Sequence, residues 1–225
     1  MDKLPIITFL WRRNRQGHQL PNVCDYTATH VNKLHRGLKK HLHIEHELIC
    51  ITDMPDDVEC RTLPLWDTYT HLGGCYNRLY IFSEDMKNLI GPRFACMDLD
   101  CVILNDVTPI FSRTEPFLIH KNAGKKKRQK YNGSFIMMDS GAHSFVWDSF
   151  DETLVSKIQA DEERVGTDQA WISMCLEEAI TIGPEDGVYE ANKIKNNLPE
   201  NARMIFFSGR RDPTERKFKW VKGNY

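Results

Sequence analysis

Three continuous apolar runs constrain the fold of this chain more than any other feature: Pro5-Ile-Ile-Thr-Phe-Leu-Trp11, Glu47-Leu-Ile-Cys-Ile-Thr52 and Arg93-Phe-Ala-Cys-Met97. None alternates with polar residues, which is the pattern of a strand buried on both faces. Between the first two, Tyr26, Val31, Leu34 and Leu38 recur at separations of three to five and predict a helix over 25–41. Leu72 to Met86 reads as a second helix, with Leu79 and Phe82 facing inward. Strand, helix, strand, helix, strand in this order predicts an α/β fold with a mostly parallel sheet covered on both faces. Cys101–Leu104, 116–120 and 134–138 read as further strands, and about 142–158 and 168–179 as helices. No Pro-, Gly- or Ser-rich linker divides the chain, so residues 1–225 read as one domain. The last dozen residues read as an extended tail closing over something.

Composition excludes several function classes. Thirty basic against 31 acidic side chains leave a net charge of -1, so no global field recruits nucleic acid. The longest apolar stretches are far too short to cross a bilayer. The start, Met-Asp-Lys-Leu-Pro, has no apolar leader region, and the seven cysteines are odd in number with no CxxC pair. The expectation is reduced thiols in a cytoplasmic protein without a signal peptide or transmembrane segment.

Chemistry concentrates in Met97-Asp98-Leu99-Asp100-Cys101. On an extended chain, carboxylates at i and i+2 project to one side. Following an apolar strand, they belong at its carboxyl end, where open α/β sheets bind ligands. Paired hard oxygen ligands suit Mg²⁺ or Mn²⁺ shared with substrate phosphates. A turn that merely exposes two acids is the plainer alternative, although acids pinned between two buried strands would be solvated more cheaply elsewhere. Gly73-Gly74 matches neither GxGxxG nor GxxxxGK[ST], which argues against dinucleotide and P-loop readings.

Several ordered segments extend the pattern. Tyr76-Asn-Arg-Leu-Tyr-Ile-Phe82, Phe94-Ala-Cys-Met-Asp-Leu-Asp-Cys-Val-Ile-Leu104 and Asp106-Val-Thr-Pro-Ile-Phe111 are followed by Tyr131-Asn-Gly-Ser-Phe-Ile-Met-Met138 and Gly166-Thr-Asp-Gln-Ala170. Met204-Ile-Phe-Phe-Ser-Gly-Arg210 with Pro213 follows more loosely. This series, collinear from about residue 5 to 213, resembles the core of GT-A-fold nucleotide-sugar glycosyltransferases, closest to the glycogenin-like and related small bacterial and viral DxD enzymes. The resemblance implies an α/β/α sandwich with a central mostly parallel mixed sheet and a Rossmann-like nucleotide-binding half. It implies a hexosyl- or deoxyhexosyltransferase that uses Mn²⁺ or Mg²⁺ to move a sugar from a nucleotide diphosphate donor, UDP-linked, to a hydroxyl acceptor such as a glycan.

On that resemblance, Asp100 would bind the metal directly and Asp98 the metal or the ribose, with Leu99 also at the donor. Thr8, Leu10, Trp11 and Arg12, with Asp53 after the second strand, fall where the family holds the nucleoside. For Trp11 a strand-end anchor is an equal reading. Arg78 stands where glycogenin-like enzymes carry a lysine near the donor. Asn132, Gly133 and Ser134 would line the donor-sugar pocket, and Gly209 and Arg210 would meet the diphosphate. Asp168 and Gln169 would sit beside the anomeric carbon. Asp168 would be the general base of an inverting enzyme, or would stabilise an oxocarbenium-like centre in a retaining one.

The chain also departs from the family. Where the family has a histidine ligand, this sequence has Phe206 or Ser208, depending on register, and where it has a lysine to the diphosphate, Asp212. Arg210 and Arg211 remain to cap the diphosphate. Two rival readings follow. A sugar-1-phosphate nucleotidyltransferase would need a Gly-rich loop that Arg12-Arg-Asn-Arg-Gln-Gly17 imitates poorly. A catalytically silent sugar-nucleotide or glycan-binding module would explain the missing histidine and lysine. The basic run Lys121–Lys130 reads chiefly as a solvated mobile loop, with an acceptor-binding lid and a nucleic-acid patch as alternatives. His41-Leu-His-Ile-Glu-His46 lacks HExxH spacing and sits at a helix end. Trp66, Trp147, Trp171 and Trp220 read as packing.

Overall fold

The computed structural model describes residues 3–12, 26–72, 75–124, 128–160, 167–194, 197–207, 212–215 and 218–225. Strand β1 (Leu4–Leu10) pairs in parallel with β2 (His46–Thr52) and β4 (Arg93–Met97), and β2 pairs in parallel with β3 (Arg61–Pro64). Antiparallel β7 (Tyr131–Asp139) then joins β4 to β6 (Phe117–Lys121), and β8 (Thr181–Ile182) closes the far edge beside β6. The sheet order is β3-β2-β1-β4-β7-β6-β8. β5 (Cys101–Ile103) leaves this sheet and pairs with β10 (Met204–Phe206), which pairs with β9 (Val188–Glu190) in a separate three-stranded sheet.

The apolar runs explain the layering. Ile6 and Leu10 face one core with Cys50, Ala95 and Met97, while Ile7 and Phe9 face the other with Ile49, Ile51, Phe94 and Cys96. Helix α1 (Ala28–His41) covers the first face through Val31, Leu34 and Leu38, all buried. Each such side chain contributes about 1.5–3 kcal/mol of apolar burial. The second face is covered by the segment Tyr76–Phe82 and by helix α6 (Asp168–Cys175), and a third core joins Val102, Ile205 and Phe207 to Val221.

Several elements differ from expectation. The helix expected from Leu72 to Met86 is a 3-10 helix, Tyr76–Phe82, followed by the short α2 (Met86–Leu89). Tyr76, Leu79 and Phe82 recur every three residues, the 3-10 repeat, so Leu79 and Phe82 still point inward. The helix expected over 142–158 breaks into α4 (Phe145–Asp148), a 3-10 turn and α5 (Val155–Gln159), with α3 (Thr108–Phe111) preceding them. Asp151 causes the break: its carboxylate accepts the Thr153 N–H at 2.7 Å and starts a new turn. α6 ends at Cys175, four residues short of the expected end. The closing residues are not extended; 218–225 fold in turns around buried Val221.

The six described cysteines carry free thiols, and no described helix is long and apolar enough to cross a membrane. Trp66, Trp147 and Trp171 pack on the second core and Trp220 on the third.

The small sheet depends on Gly187, which enters β9 at φ +81° with its α-carbon against the Asn201 carbonyl and the Arg203 side chain. A Cβ there would overlap both, in a backbone region that L residues avoid. Gly187→Ala is expected to destabilise the protein by about 2–4 kcal/mol, read from urea unfolding.

Candidate active site

The carboxyl ends of β1, β2 and β4 meet one edge of the main sheet, and the chain crosses to the small sheet there. Asp98, Leu99 and Asp100 make that crossing in a bend, so the extended geometry expected of them does not form. Two backbone bonds hold it: Asp98 N–H donates to Ser134 O and Phe207 N–H donates to Asp100 O, each at 2.9 Å. Leu99 turns into the first core, 3% exposed, and anchors the bend between the acids.

Arg78 organises the charges. It is 6% exposed; Nη1 donates to Asp98 Oδ1 at 2.7 Å, Nη2 donates to Gly133 O at 2.6 Å, and Nε lies 3.7 Å from Asp168 Oδ2. Burial opposes its charge, but Asp98 and Asp168 outweigh burial and hold its pKa well above the ordinary value. Gly133 lies at the centre of this convergence. A Cβ there would stand 3.4 Å from Gln169 Cγ, 3.5 Å from Arg78 Nη2 and 3.6 Å from Asp168 Oδ2. The 3-10 segment thus presents its arginine to β4, β7 and α6 at once.

Asp98 and Asp168 pair with this guanidinium, and Asp100 follows Asp98 by two residues. Asp168, the first residue of α6, is 3% exposed and its Oδ1 accepts the Gln169 N–H at 2.9 Å. Burial raises its pKa to about 6, with Arg78 opposing and Asp98 reinforcing. Asp100 is also raised well above the carboxylate range, by burial first and Asp98 second. Its Oδ2 accepts the Tyr26 hydroxyl at 2.7 Å, while its Oδ1 is buried without a partner. Asp98 keeps a side-chain exposure of 27%. Among the described residues, Arg78 is paired with two of the three acids, Asp98 and Asp168, and not with Asp100. An orphaned buried oxygen beside a half-open carboxylate fits a cation. Among the described residues no three His, Cys, Asp or Glu side chains converge to hold a metal ion. A cation at Asp98 and Asp100 would complete its shell from phosphate oxygens and water.

The other expected positions divide by what their side chains do. Thr8 donates to Met97 O at 2.8 Å and ties β1 to β4, and Leu10 is core. Trp11 is half-buried, edge-on to Phe9 at 6.1 Å, and Arg12 N–H donates to Asp53 Oδ1 at 3.1 Å. Asn132, Gly133 and Ser134 lie on buried β7, where Asn132 Oδ1 accepts the Ser134 N–H at 3.0 Å. Gly209, Arg210 and Arg211, with Ser208, Gly166 and Gly73-Gly74, lie outside the described residues. Phe206 is buried in β10 against His120, at 5.4 Å, and offers no ligand atom. Asp212 Oδ1 lies 3.2 Å from His30 Nε2.

Five contributors carry no local sequence signal. Tyr26 precedes α1 rather than lying on it and reaches Asp100 across 74 residues. Gln129 Nε2 donates to Gln169 Oε1 at 2.9 Å from the end of the basic run, whose residues 125–127 are not described. Asn122 closes the base of that run on Lys130 O and Gln129 O. Glu190, 5% exposed, accepts from Ala123 N–H at 3.2 Å and Asn132 Nδ2 at 3.4 Å. His120 Nδ1 lies 2.7 Å from Ser134 Oγ, and burial pushes its pKa down to about 4. A separate cleft of about 510 Å³ lies at the amino-terminal edge of the sheet, lined by Lys3, His35, Lys39, His46, Glu47 and Arg61. Part of its charge is already paired, Arg61 with Glu47 at 3.2 Å.

No protein-family model matches the chain, and no curated protein matches its sequence. Solved structures do match. The galactosyltransferase LgtC in complex with donor and acceptor sugar analogues aligns with a TM-score of 0.62 at 9% identity, covering 98% of this chain and 96% of that one. An active-site Gln-to-Glu mutant of LgtC gives 0.61 at 9% identity, covering 98% and 95%. The likeness shows a shared GT-A fold: a mixed, mostly parallel seven-stranded sheet flanked by helices.

Two outcomes follow from the charges. Arg78→Met should cost about 3–5 kcal/mol at neutral pH, because buried carboxylates lose their counter-charge. The deficit should shrink in urea titrations below about pH 6, as Asp168 takes up its proton. Because Asp168 has a folded pKa above its ordinary 3.8, its contribution to stability is full below that value and is lost as pH rises through about 6. Asp168→Asn should flatten the stability profile across that window.

Proposed function

We propose that the chain is a metal-dependent glycosyltransferase. It would move a hexosyl or deoxyhexosyl unit from a nucleotide diphosphate sugar, UDP-linked, to a hydroxyl acceptor, a glycan. The observation that carries this reading is the pairing of Asp98 and Asp168 with buried Arg78, beside an Asp100 whose Oδ1 is buried without a partner, at the carboxyl edge of the sheet. The full-length likeness to a galactosyltransferase fold supports it. The two sheets, joined through Asp98–Asp100, make residues 1–225 one catalytic domain in this reading, acting in the cytoplasm.

Asp98 and Asp100 would hold Mn²⁺ or Mg²⁺, which when bound supplies charge neutralisation for the diphosphate leaving group. Arg78 fixes Asp98 and keeps Asp168 ionisable. Gly133 leaves room for the donor sugar beside Asp168 and Gln169. With a pKa near 6, Asp168 is deprotonated at neutral pH yet basic enough to accept a proton. In an inverting course it takes the acceptor hydroxyl proton as the new glycosidic bond forms, and the donor's anomeric C–O electron pair leaves with the diphosphate. In a retaining course the same carboxylate stabilises the oxocarbenium-like carbon. Gln169, held by Gln129, adjoins this centre, and LgtC likewise has an active-site glutamine.

A silent sugar-nucleotide-binding module is the second reading, favoured by Phe206 or Ser208, depending on register, and Asp212 standing where the resembled family has a metal-binding histidine and a lysine. A panel of UDP- and GDP-sugars with Mn²⁺, with and without chelator, separates the two. Metal-dependent nucleotide release is expected. Binding without release would favour the module, and neither would sink both readings. Asp100→Ala should abolish metal-dependent nucleotide binding, and Asp168→Asn should lower turnover about 100-fold or more while nucleotide binding persists.

A further inference from the structure

We propose that Tyr26 is a positioning residue for Asp100, buttressed from the carboxyl-terminal segment by Asp212 through His30. The proposal rests on the transferase reading and deepens it. The Tyr26 hydroxyl donates to Asp100 Oδ2 at 2.7 Å, the usual length of an O–H···O hydrogen bond. Asp100 is 7% exposed, and its other oxygen has no partner. A buried carboxylate with one oxygen tied and one open has a chosen orientation. A pairing that served packing alone would leave no buried oxygen unsatisfied, since such an atom costs about 1–3 kcal/mol or more.

Tyr26 is itself held. Its ring lies edge-on to His30 at 5.1 Å, and His30 is 4% exposed in the first turn of α1. His30 Nδ1 accepts the Thr27 N–H at 3.1 Å, which leaves Nε2 as the donor to Asp212 Oδ1 at 3.2 Å. Asp212 also accepts the Thr214 N–H at 2.7 Å and its hydroxyl at 2.6 Å. The acid that replaces the resembled family's lysine is therefore engaged with α1. The chain from Asp212 through His30 and Tyr26 to Asp100 joins the start of α1, the carboxyl-terminal segment and the crossing between the sheets. Partners of this kind set a ligand's orientation and typically carry 10–100-fold in metal affinity.

The test titrates Mn²⁺ into the full chain with UDP and, separately, with GDP, reading free Mn²⁺ by electron paramagnetic resonance and nucleotide binding by calorimetry. Tyr26→Phe should raise the half-saturating Mn²⁺ concentration about tenfold. Metal-free nucleotide affinity should stay at its wild-type value while the melting temperature falls with the orphaned Asp100 oxygen, whereas a merely structural role would lower the melting temperature and leave the Mn²⁺ requirement unchanged. Asp212→Asn should shift the Mn²⁺ requirement in the same direction by less, and decides the matter if Tyr26→Phe does not fold. Wild-type Mn²⁺ requirements in both variants would overturn the proposal alone. A wild-type protein with no Mn²⁺-dependent binding of either nucleotide would overturn the transferase reading and this proposal with it.

Discussion

The buried guanidinium of Arg78 is the interaction on which the rest of the site depends. It joins four elements at one point: the 3-10 segment that carries it, the crossing at Asp98, the β7 backbone at Gly133 and the start of α6 at Asp168. An arginine enclosed to this degree is stable only with its charge answered. The two carboxylates that answer it are the same two that the proposed chemistry uses. Gly133 packs directly against them: a Cβ there would lie in van der Waals contact with Arg78, Asp168 and Gln169.

Around this pair the structure builds an excess of negative charge and keeps it from water. The net charge of -1 conceals the division. Asp98, Asp100 and Asp168 are gathered at one sheet edge, while much of the basic complement lies in the run at 121–130 and in the carboxyl-terminal segment. Both flanks of the crossing are pinned by backbone bonds, Asp98 to β7 and Asp100 to the residue after β10. The carboxylates are therefore placed by two sheets rather than by a mobile loop.

Legibility in the sequence followed the length of each signal. β1, β2, β4 and α1 were readable because five to fourteen residues repeat one environment. β3, β8, β9 and β10 were not marked as strands, since two to four residues carry no period. The segment 76–82 was assigned the wrong helix type because inward residues spaced by three fit both repeats over two turns. Arg78, Asp98, Asp100 and Asp168 stood out through ordered motifs. Tyr26, Gln129 and Glu190 did not, because each acts through a contact 40 or more residues away that no local pattern encodes.

The sequence by itself determined that a parallel sheet buried on both faces would end in a pair of acids, because uninterrupted apolar runs must be covered on both sides and their polar stops must lie at the edge. Only the tertiary structure decided how those acids are held. It turned Asp98 onto Arg78 and Asp100 onto Tyr26, and it buried Phe206 in the core against His120. The physical reason is that burial and pairing set the state of a carboxylate, and both come from residues distant in the chain. Adjacent acids of identical composition are thereby given different partners and different exposure.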